Sequence, residues 1–158
     1  MNTYEELQDA ACKDGIDVID YPFGTERIKG LYCDGTVAIR KDIETQAEKS
    51  CILAEELGHH YTTTGNILDQ STDVMNRKQE YRARLYGYNL RVGLIGIINA
   101  YEACCRNLHE MAEYLEVPED YLTEVIDCYR SKYGQYIAID NYMIYFIPQL
   151  AVLRINTL

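Results

Sequence analysis

The sequence is short of basic residues, and this shortage limits what the chain can bind. Fifteen lysines and arginines stand against 25 aspartates and glutamates, which gives a formal net charge of -10 at pH 7. Binding to nucleic acid depends on basic side chains that neutralise phosphates. We therefore expect no direct contact with nucleic acid.

The sequence also lacks a secretory leader, a membrane span and a disulfide framework. Its first residues, MNTYEELQD, are acidic and polar, and its longest apolar run, residues 92–98, is far too short to cross a bilayer. None of the six cysteines forms a C-x-x-C pair. These absences predict a cytoplasmic protein with reduced thiols and no membrane association.

Proline is rare, with three residues, and no linker, repeat or low-complexity stretch interrupts the chain. Residues 1–158 are therefore predicted to form one domain, and the 47% hydrophobic composition is typical of a globular protein. Within this domain we expect three parts. Residues 1–92 would form the part that carries the functional site, residues 94–134 a helical extension and residues 135–158 a C-terminal hairpin.

Local signals in the first half predict helices around a small sheet. Capping boxes at Thr3 and Thr45, each with a glutamate three residues later, predict helices over residues 3–14 and 46–64, the second closed by Gly65. An extended segment at 16–21 and strands at 29–33 and 36–40, which flank Asp34-Gly35, predict a small antiparallel sheet.

The second half is predicted to be mostly helical. A helix is expected over residues 74–90, and a helical pattern over 94–133 breaks near Pro118 and stops at Gly134. Strands at 136–139 and 142–147 predict a closing hairpin. The order of elements predicts an α+β fold.

Residues 108–127 have the spacing of a helix–turn–helix, which DNA-binding regulators use. The segment has no lysine or arginine and seven carboxylates: Glu110, Glu113, Glu116, Glu119, Asp120, Glu124 and Asp127. A recognition helix usually offers Arg or Lys to base edges. A DNA-binding regulator is therefore the least favoured function, and the segment is interpreted as a helical hairpin that packs internally or docks a protein partner.

Two glutamates and two histidines lie together within the predicted helix 46–64. Glu55 and His59 are four residues apart, as are Glu56 and His60, so each pair shares a helix face. A zincin site takes two ligands at this spacing and a general-base carboxylate one position after the first. Glu55 and His59 would then be ligands and Glu56 the base, with Glu80 on the next helix as third ligand. By spacing alone, a solvated helix face without metal is the commoner alternative.

Four segments match, in order, the motifs of one known family. Residues 53–60 read LAEELGHH, residues 79–84 QEYRAR, residues 111–118 MAEYLEVP and residues 142–146 YMIYF. They resemble the LAHELGH segment, the third-ligand segment, the helix–turn–helix stretch and the final strand of the ImmA/IrrE metallopeptidases. Together they span most of the chain.

The resemblance implies a zincin-like fold and cleavage of a partner protein, a helix–turn–helix repressor that silences a phage or mobile element. It implies His59 and Glu80 as metal ligands, Glu56 as the catalytic carboxylate and zinc as the metal. Glu55 stands where the family's first ligand is normally histidine. Two carboxylates would neutralise a divalent cation, so the attacking water would be less acidic and manganese would compete better with zinc.

Three interpretations of Glu55 follow: a metallo-endopeptidase with a shifted pH optimum, an enzyme with manganese or another divalent cation, or a metal-free relative that acts as a protein-binding regulatory module. His60 points about 100 degrees around the helix from His59, so joint ligation is not expected. We interpret it as a surface residue or as one that supports the ligands without touching the metal.

Overall fold

The computed structural model of the protein describes residues 1–63 and 73–156. It has the α+β fold that the sequence predicts. In chain order the elements are α1 (Thr3–Lys13), β1 (Asp17–Tyr21), β2 (Gly30–Cys33), β3 (Thr36–Arg40), α2 (Gln46–Thr62), α3 (Asp73–Arg91), α4 (Gly93–Glu102), α5 (Leu108–Leu115), α6 (Glu119–Tyr133), β4 (Tyr136–Ile139), β5 (Tyr142–Tyr145) and β6 (Ala151–Arg154). Among the described residues, no helix has the length and apolar character that a membrane crossing needs. The chain divides into two compact units, here called the N-terminal unit (Met1–Arg91) and the C-terminal unit (Val92–Leu158).

The N-terminal unit contains a three-stranded sheet in the order β1-β3-β2. The hairpin of β2 and β3 is antiparallel, as predicted, and Asp34 and Gly35 turn it with φ angles of 44° and 78°. β1 joins the other side of β3 in parallel, with Val18 opposite Val37. Turn residues specify a hairpin but carry no information on the third strand, so the sequence did not reveal this parallel pair.

The core of the N-terminal unit lies between this sheet and two helices. β3 alternates buried and half-buried residues, and its Val37 and Ile39 are fully buried. Side chains of α1 and α2 and of the residue before β1 complete the cluster: Tyr4, Ala11, Ile16, Leu53 and Leu57. α2 therefore rests on the sheet, and its remaining faces are available for α3 and for solvent.

Of the two predicted N-caps, the one at Thr3 is wrong and the one at Thr45 is confirmed. At α1 the cap is Asn2 and not Thr3: Asn2 accepts from the Glu5 amide at 3.0 Å, and the Glu5 carboxylate accepts from the Asn2 amide at 2.9 Å. Thr45 caps α2 as predicted, with its hydroxyl 3.2 Å from the Glu48 amide.

The far end of α2 was predicted at residue 64. The described helix ends at Thr62, and the amide of Thr63 donates to the His59 carbonyl at 3.2 Å. Residue 64 and Gly65, the predicted stop, lie outside the described residues.

The C-terminal unit has three helices and an antiparallel sheet in the order β4-β5-β6. The predicted hairpin is the β4–β5 pair, and β6 adds a strand that the sequence analysis did not foresee. The break near Pro118 is present, because Glu116 ends α5 with φ 56° and Pro118 caps α6. A second break, at Cys104 with φ 63°, separates α4 from α5 and was not predicted.

Candidate metal centre

The centre lies where α2 and α3 cross as antiparallel neighbours with almost no side chain between them. A Cβ on Gly58 would overlap the carbonyl oxygen of Ala83, and one on Gly87 would lie 3.0 Å from the Glu55 amide nitrogen. Further along, the guanidinium Nε of Arg91 donates to the Ser50 hydroxyl at 3.0 Å. Small residues therefore let the two backbones touch at the level of Glu55.

This close crossing brings together three side chains that can bind a metal. One carboxylate oxygen of Glu55, one ring nitrogen of His59 and one carboxylate oxygen of Glu80 all lie within 4.8 Å of one another. These three residues are called the EHE group. Glu55 and His59 come from adjacent turns of α2, while Glu80 stands on the face of α3 that also carries Ala83 and Gly87.

The EHE group suits a divalent cation both in its atoms and in its spacing. Ligand atoms around a tetrahedral ion sit about 3.4 Å apart when each is about 2.1 Å from it. The Nε2 of His59 is 3.6 Å from Oε2 of Glu80, so this pair is already close to that spacing. Rotation of the two glutamate side chains would close the remaining gap. The group could therefore hold a metal ion.

A second stripe of α2 lies against the edge strand β2. Its members follow at intervals of four residues: Glu48, Ile52, Glu56 and His60. Each of the last three meets β2 directly: a Cβ on Gly30 would lie 2.6 Å from Cγ2 of Ile52 and 3.1 Å from Oε1 of Glu56, and His60 contacts Tyr32. Glu48 accepts from Lys29, just before β2, at 2.8 Å. Glu56 is thus placed between β2 and the EHE group.

Glu56 has an unusual electrostatic environment for a carboxylate. Burial is the largest of the causes that raise its pKa to about 7, and the charges of Glu55 and, more weakly, Glu80 act in the same direction. A hydrogen bond from the Tyr32 amide opposes this increase. A carboxylate whose pKa lies near neutrality can both accept and release a proton at physiological pH.

His60 belongs to the stripe that faces β2 and lies outside the EHE group. Its Nδ1 is 2.7 Å from the Tyr32 hydroxyl, and its ring packs edge to face against Tyr32 and Tyr61. These contacts are with Tyr32 and Tyr61 and not with the EHE group, so both interpretations of His60, as a surface residue or as a support for the ligands, stay predictions.

The helical spacing and the resemblance predict Glu55, Glu56, His59, His60 and Glu80, but not the residues that bring them together. Those residues are glycines and an alanine at the helix crossing and two residues of the edge strand: Gly58, Ala83, Gly87, Gly30 and Tyr32. A signal was present, because a glycine in a helix interior costs about 1 kcal/mol relative to alanine and so points to a packing reason.

Comparison with models of known protein families finds no match, and comparison with curated proteins finds none either. The resemblance to the ImmA/IrrE family therefore stays a prediction from the sequence, and the functional argument depends on the geometry of the site.

Proposed function

We propose that this protein is a metal-dependent endopeptidase of the ImmA/IrrE type that acts in the cytoplasm. Its proposed substrate is a partner protein, namely a helix–turn–helix repressor of a phage or mobile element. The observation that carries the proposal is the convergence of Glu55, His59 and Glu80 beside Glu56. Three ligands and an adjacent general base are the parts that metal-assisted peptide hydrolysis requires.

Glu55, His59 and Glu80 would hold the metal, and zinc is the proposed ion. When bound, such an ion polarises a carbonyl group and lowers the pKa of a water molecule. The two carboxylates offset the charge of a divalent cation and add an oxygen ligand, so manganese is a stronger competitor here than at a site with two histidines. We expect the pH optimum of cleavage to lie above that of a site with two histidines.

Glu56 would move the proton. Its carboxylate takes a proton from the attacking water and passes it to the nitrogen of the leaving amine. Burial and the neighbouring Glu55 charge raise its pKa to about 7 in the metal-free protein, which suits a group that must accept and then release a proton. Its place beside β2 sets where the reacting peptide bond would lie.

β2 supplies an edge on which a peptide could bind as an added strand. The Arg40 amide donates to the Lys29 carbonyl at 2.8 Å, so Lys29 and Arg40 form a hydrogen-bonded pair. Hydrogen-bonded and non-hydrogen-bonded pairs alternate along an antiparallel ladder, so Gly30 and Tyr32 belong to non-hydrogen-bonded pairs. Their amides and carbonyls therefore point away from β3. The Tyr32 amide donates to the Glu56 carboxylate, so a peptide that pairs with Gly30 and with the Tyr32 carbonyl would pass alongside Glu56.

Two substitutions test the proposed chemistry. Glu56→Gln keeps the size of the side chain but cannot accept the proton, so cleavage of a co-expressed repressor should fall by roughly 10²-fold or more. Metal content should stay unchanged. Glu55→His introduces the ligand usual in the family, and it should preserve or raise activity. Full cleavage by Glu56→Gln would remove Glu56 from the mechanism.

One observation favours a second candidate, a regulatory module that binds its partner without cleaving it. The Nε2 of His59 and Oε2 of Glu80 approach within 3.6 Å, and a protonated imidazole would pair with this carboxylate without a metal. This candidate predicts that parent and Glu55→His both bind a repressor in a pull-down and cleave none. Cleavage by either protein would reject it.

A further inference from the structure

The contact between Tyr32 and His60 takes part in none of the steps above. The Tyr32 hydroxyl accepts from the Gly35 amide at 3.2 Å and lies 2.7 Å from His60 Nδ1. The oxygen accepts from Gly35 and keeps its own proton, which it donates to Nδ1 when the ring carries its proton on Nε2. One hydroxyl thereby joins β2, the hairpin turn and α2.

β2 needs such an attachment because, in the part of the chain that the structure describes, it has a neighbouring strand on one side only. Strand edges open more easily than central strands. Other contacts also hold β2 to α2, among them the hydrogen bond from the Tyr32 amide to the Glu56 carboxylate, which is the proposed general base. The pair of Lys29 and Glu48 is exposed at the surface, where ion pairs contribute little, and Gly30 offers no side chain. The half-buried bond between Tyr32 and His60 therefore ties strand to helix through groups that take no part in the proposed proton transfer.

We propose that Tyr32 and His60 are positioning residues, whose hydrogen bond fixes the edge of β2 relative to Glu56. The proposal rests on the proposed function, because that edge is where the substrate peptide would pair. His60 acts through Tyr32 and ligates no metal. Without the bond, β2 would shift against α2, and a bound peptide would lose its alignment with the general base.

Amide hydrogen exchange in the metal-free protein, measured by NMR, tests this directly. Tyr32→Phe removes only the hydroxyl and with it both of its hydrogen bonds, so exchange at Gly35 and along β2 should rise by at least about 5- to 10-fold, the effect expected for one such bond. Tyr86→Phe is the matched control, because Tyr86 belongs to the same aromatic cluster through Tyr61 and lies on α3. It should leave those rates unchanged. Equal rates in Tyr32→Phe and the parent would overturn the proposal.

A second pair of variants separates positioning from space filling. His60→Asn keeps an acceptor near the Nδ1 position, whereas His60→Leu fills similar volume without one. Positioning predicts that β2 exchanges more slowly in the Asn variant than in the Leu variant, although leucine is the better helix former. The reverse order would show that the ring only fills space and would reject the proposal.

Zinc titration of the same variants distinguishes a failure of the positioning role from a failure of the proposed metal site. Variants at Tyr32 and His60 should bind zinc within about twofold of the parent. A loss at His60→Asn as large as that of His59→Ala would make His60 a ligand and overturn its positioning role. If His59→Ala itself binds zinc like the parent, the metal site fails, while the exchange result still decides on Tyr32 and His60.

Discussion

The EHE group of the N-terminal unit has a counterpart of the same composition in the C-terminal unit. On α5, His109 lies 3.2 Å from Glu113, four residues later, and 3.3 Å from Glu119 at the start of α6. Both clusters thus contain one histidine and two glutamates, and both use an i, i+4 pair on a helix. Only the EHE group brings its ligand atoms together among the described residues.

The geometry of the second cluster explains the difference. Glu113 approaches Nε2 of His109 and Glu119 approaches Nδ1, so the two carboxylates lie on opposite sides of the ring and cannot share one ion. The His109 side chain is 66% exposed, against 22% for His59. Helical spacing places two candidate ligands on one face. A second helix packed at close range is needed to bring a third candidate ligand beside them.

The largest expected effect comes from forcing the two helices of the site apart. In Gly58→Ala the new Cβ overlaps the Ala83 carbonyl, and this clash should outweigh the gain in helix propensity. We expect the free energy of unfolding to fall by about 3 kcal/mol in a urea titration, with zinc binding lost. Gly96→Ala in α4 is the control, because its Cβ would meet only the ends of side chains, at 3.3 Å from Leu115 and 4.0 Å from Val92. If both variants are equally stable, the crossing is looser than described.

Zinc should distinguish the two histidines. At 100 times its dissociation constant, zinc should stabilise the parent by about 2.7 kcal/mol, measured as a shift in thermal unfolding. His59→Ala should abolish the shift, and His109→Ala should retain it. A shift that depends on His109 would mean that the exposed cluster on α5 binds the ion.

The two units should also differ in the sign of their pH dependence. Burial raises the pKa of Glu56 to about 7, so the folded metal-free protein keeps a proton that the unfolded chain releases near pH 4.5. Stability should therefore fall as pH rises from about 4.5 to 7, by on the order of 2 kcal/mol, and Glu56→Gln should remove this fall.

Glu110 on α5 should make the stability change with pH in the opposite direction. Hydrogen bonds from the amide and side chain of Arg106 hold the pKa of Glu110 below its usual value, so its contribution is present at neutral pH and is lost in acid. Glu110→Gln should be less stable than the parent at pH 7 and equal to it at low pH. Urea titrations across this range check both residues, and a Glu56→Gln curve that follows the parent would contradict the account.

The last prediction is a negative one: the protein should not bind duplex DNA. The helices α5 and α6 are joined by a short connection at residues 116–118, but residues 108–127 contain seven carboxylates and no basic residue except His109. We expect no change in the fluorescence anisotropy of labelled duplex DNA at physiological salt. A micromolar affinity that weakens steeply with salt would contradict this expectation.

The sequence predicted what depends on local pattern. α2, α3 and the turn at Asp34-Gly35 follow from periodicity, capping and backbone preferences that a short window contains. The pairing of β1 and the addition of β6 depend on distant segments, and no local signal specifies them.

The candidate site divides in the same way. The ligands on α2 were predictable because four-residue spacing has a fixed geometric meaning. The contact of Gly58 with Ala83 was not, since it exists only when two helices pack. The bond between Tyr32 and His60 joins residues 28 positions apart and needs the folded strand to form.

The most direct test of the central claim is anomalous diffraction at the zinc edge, from crystals grown near neutral pH with zinc. The account predicts one peak with Glu55, His59 and Glu80 as ligands at about 2.0 to 2.2 Å and Glu56 beside it. Neutral pH matters because protons compete with the metal for these ligands. An ion bound elsewhere, or an EHE group left without a peak at saturating zinc, would contradict it.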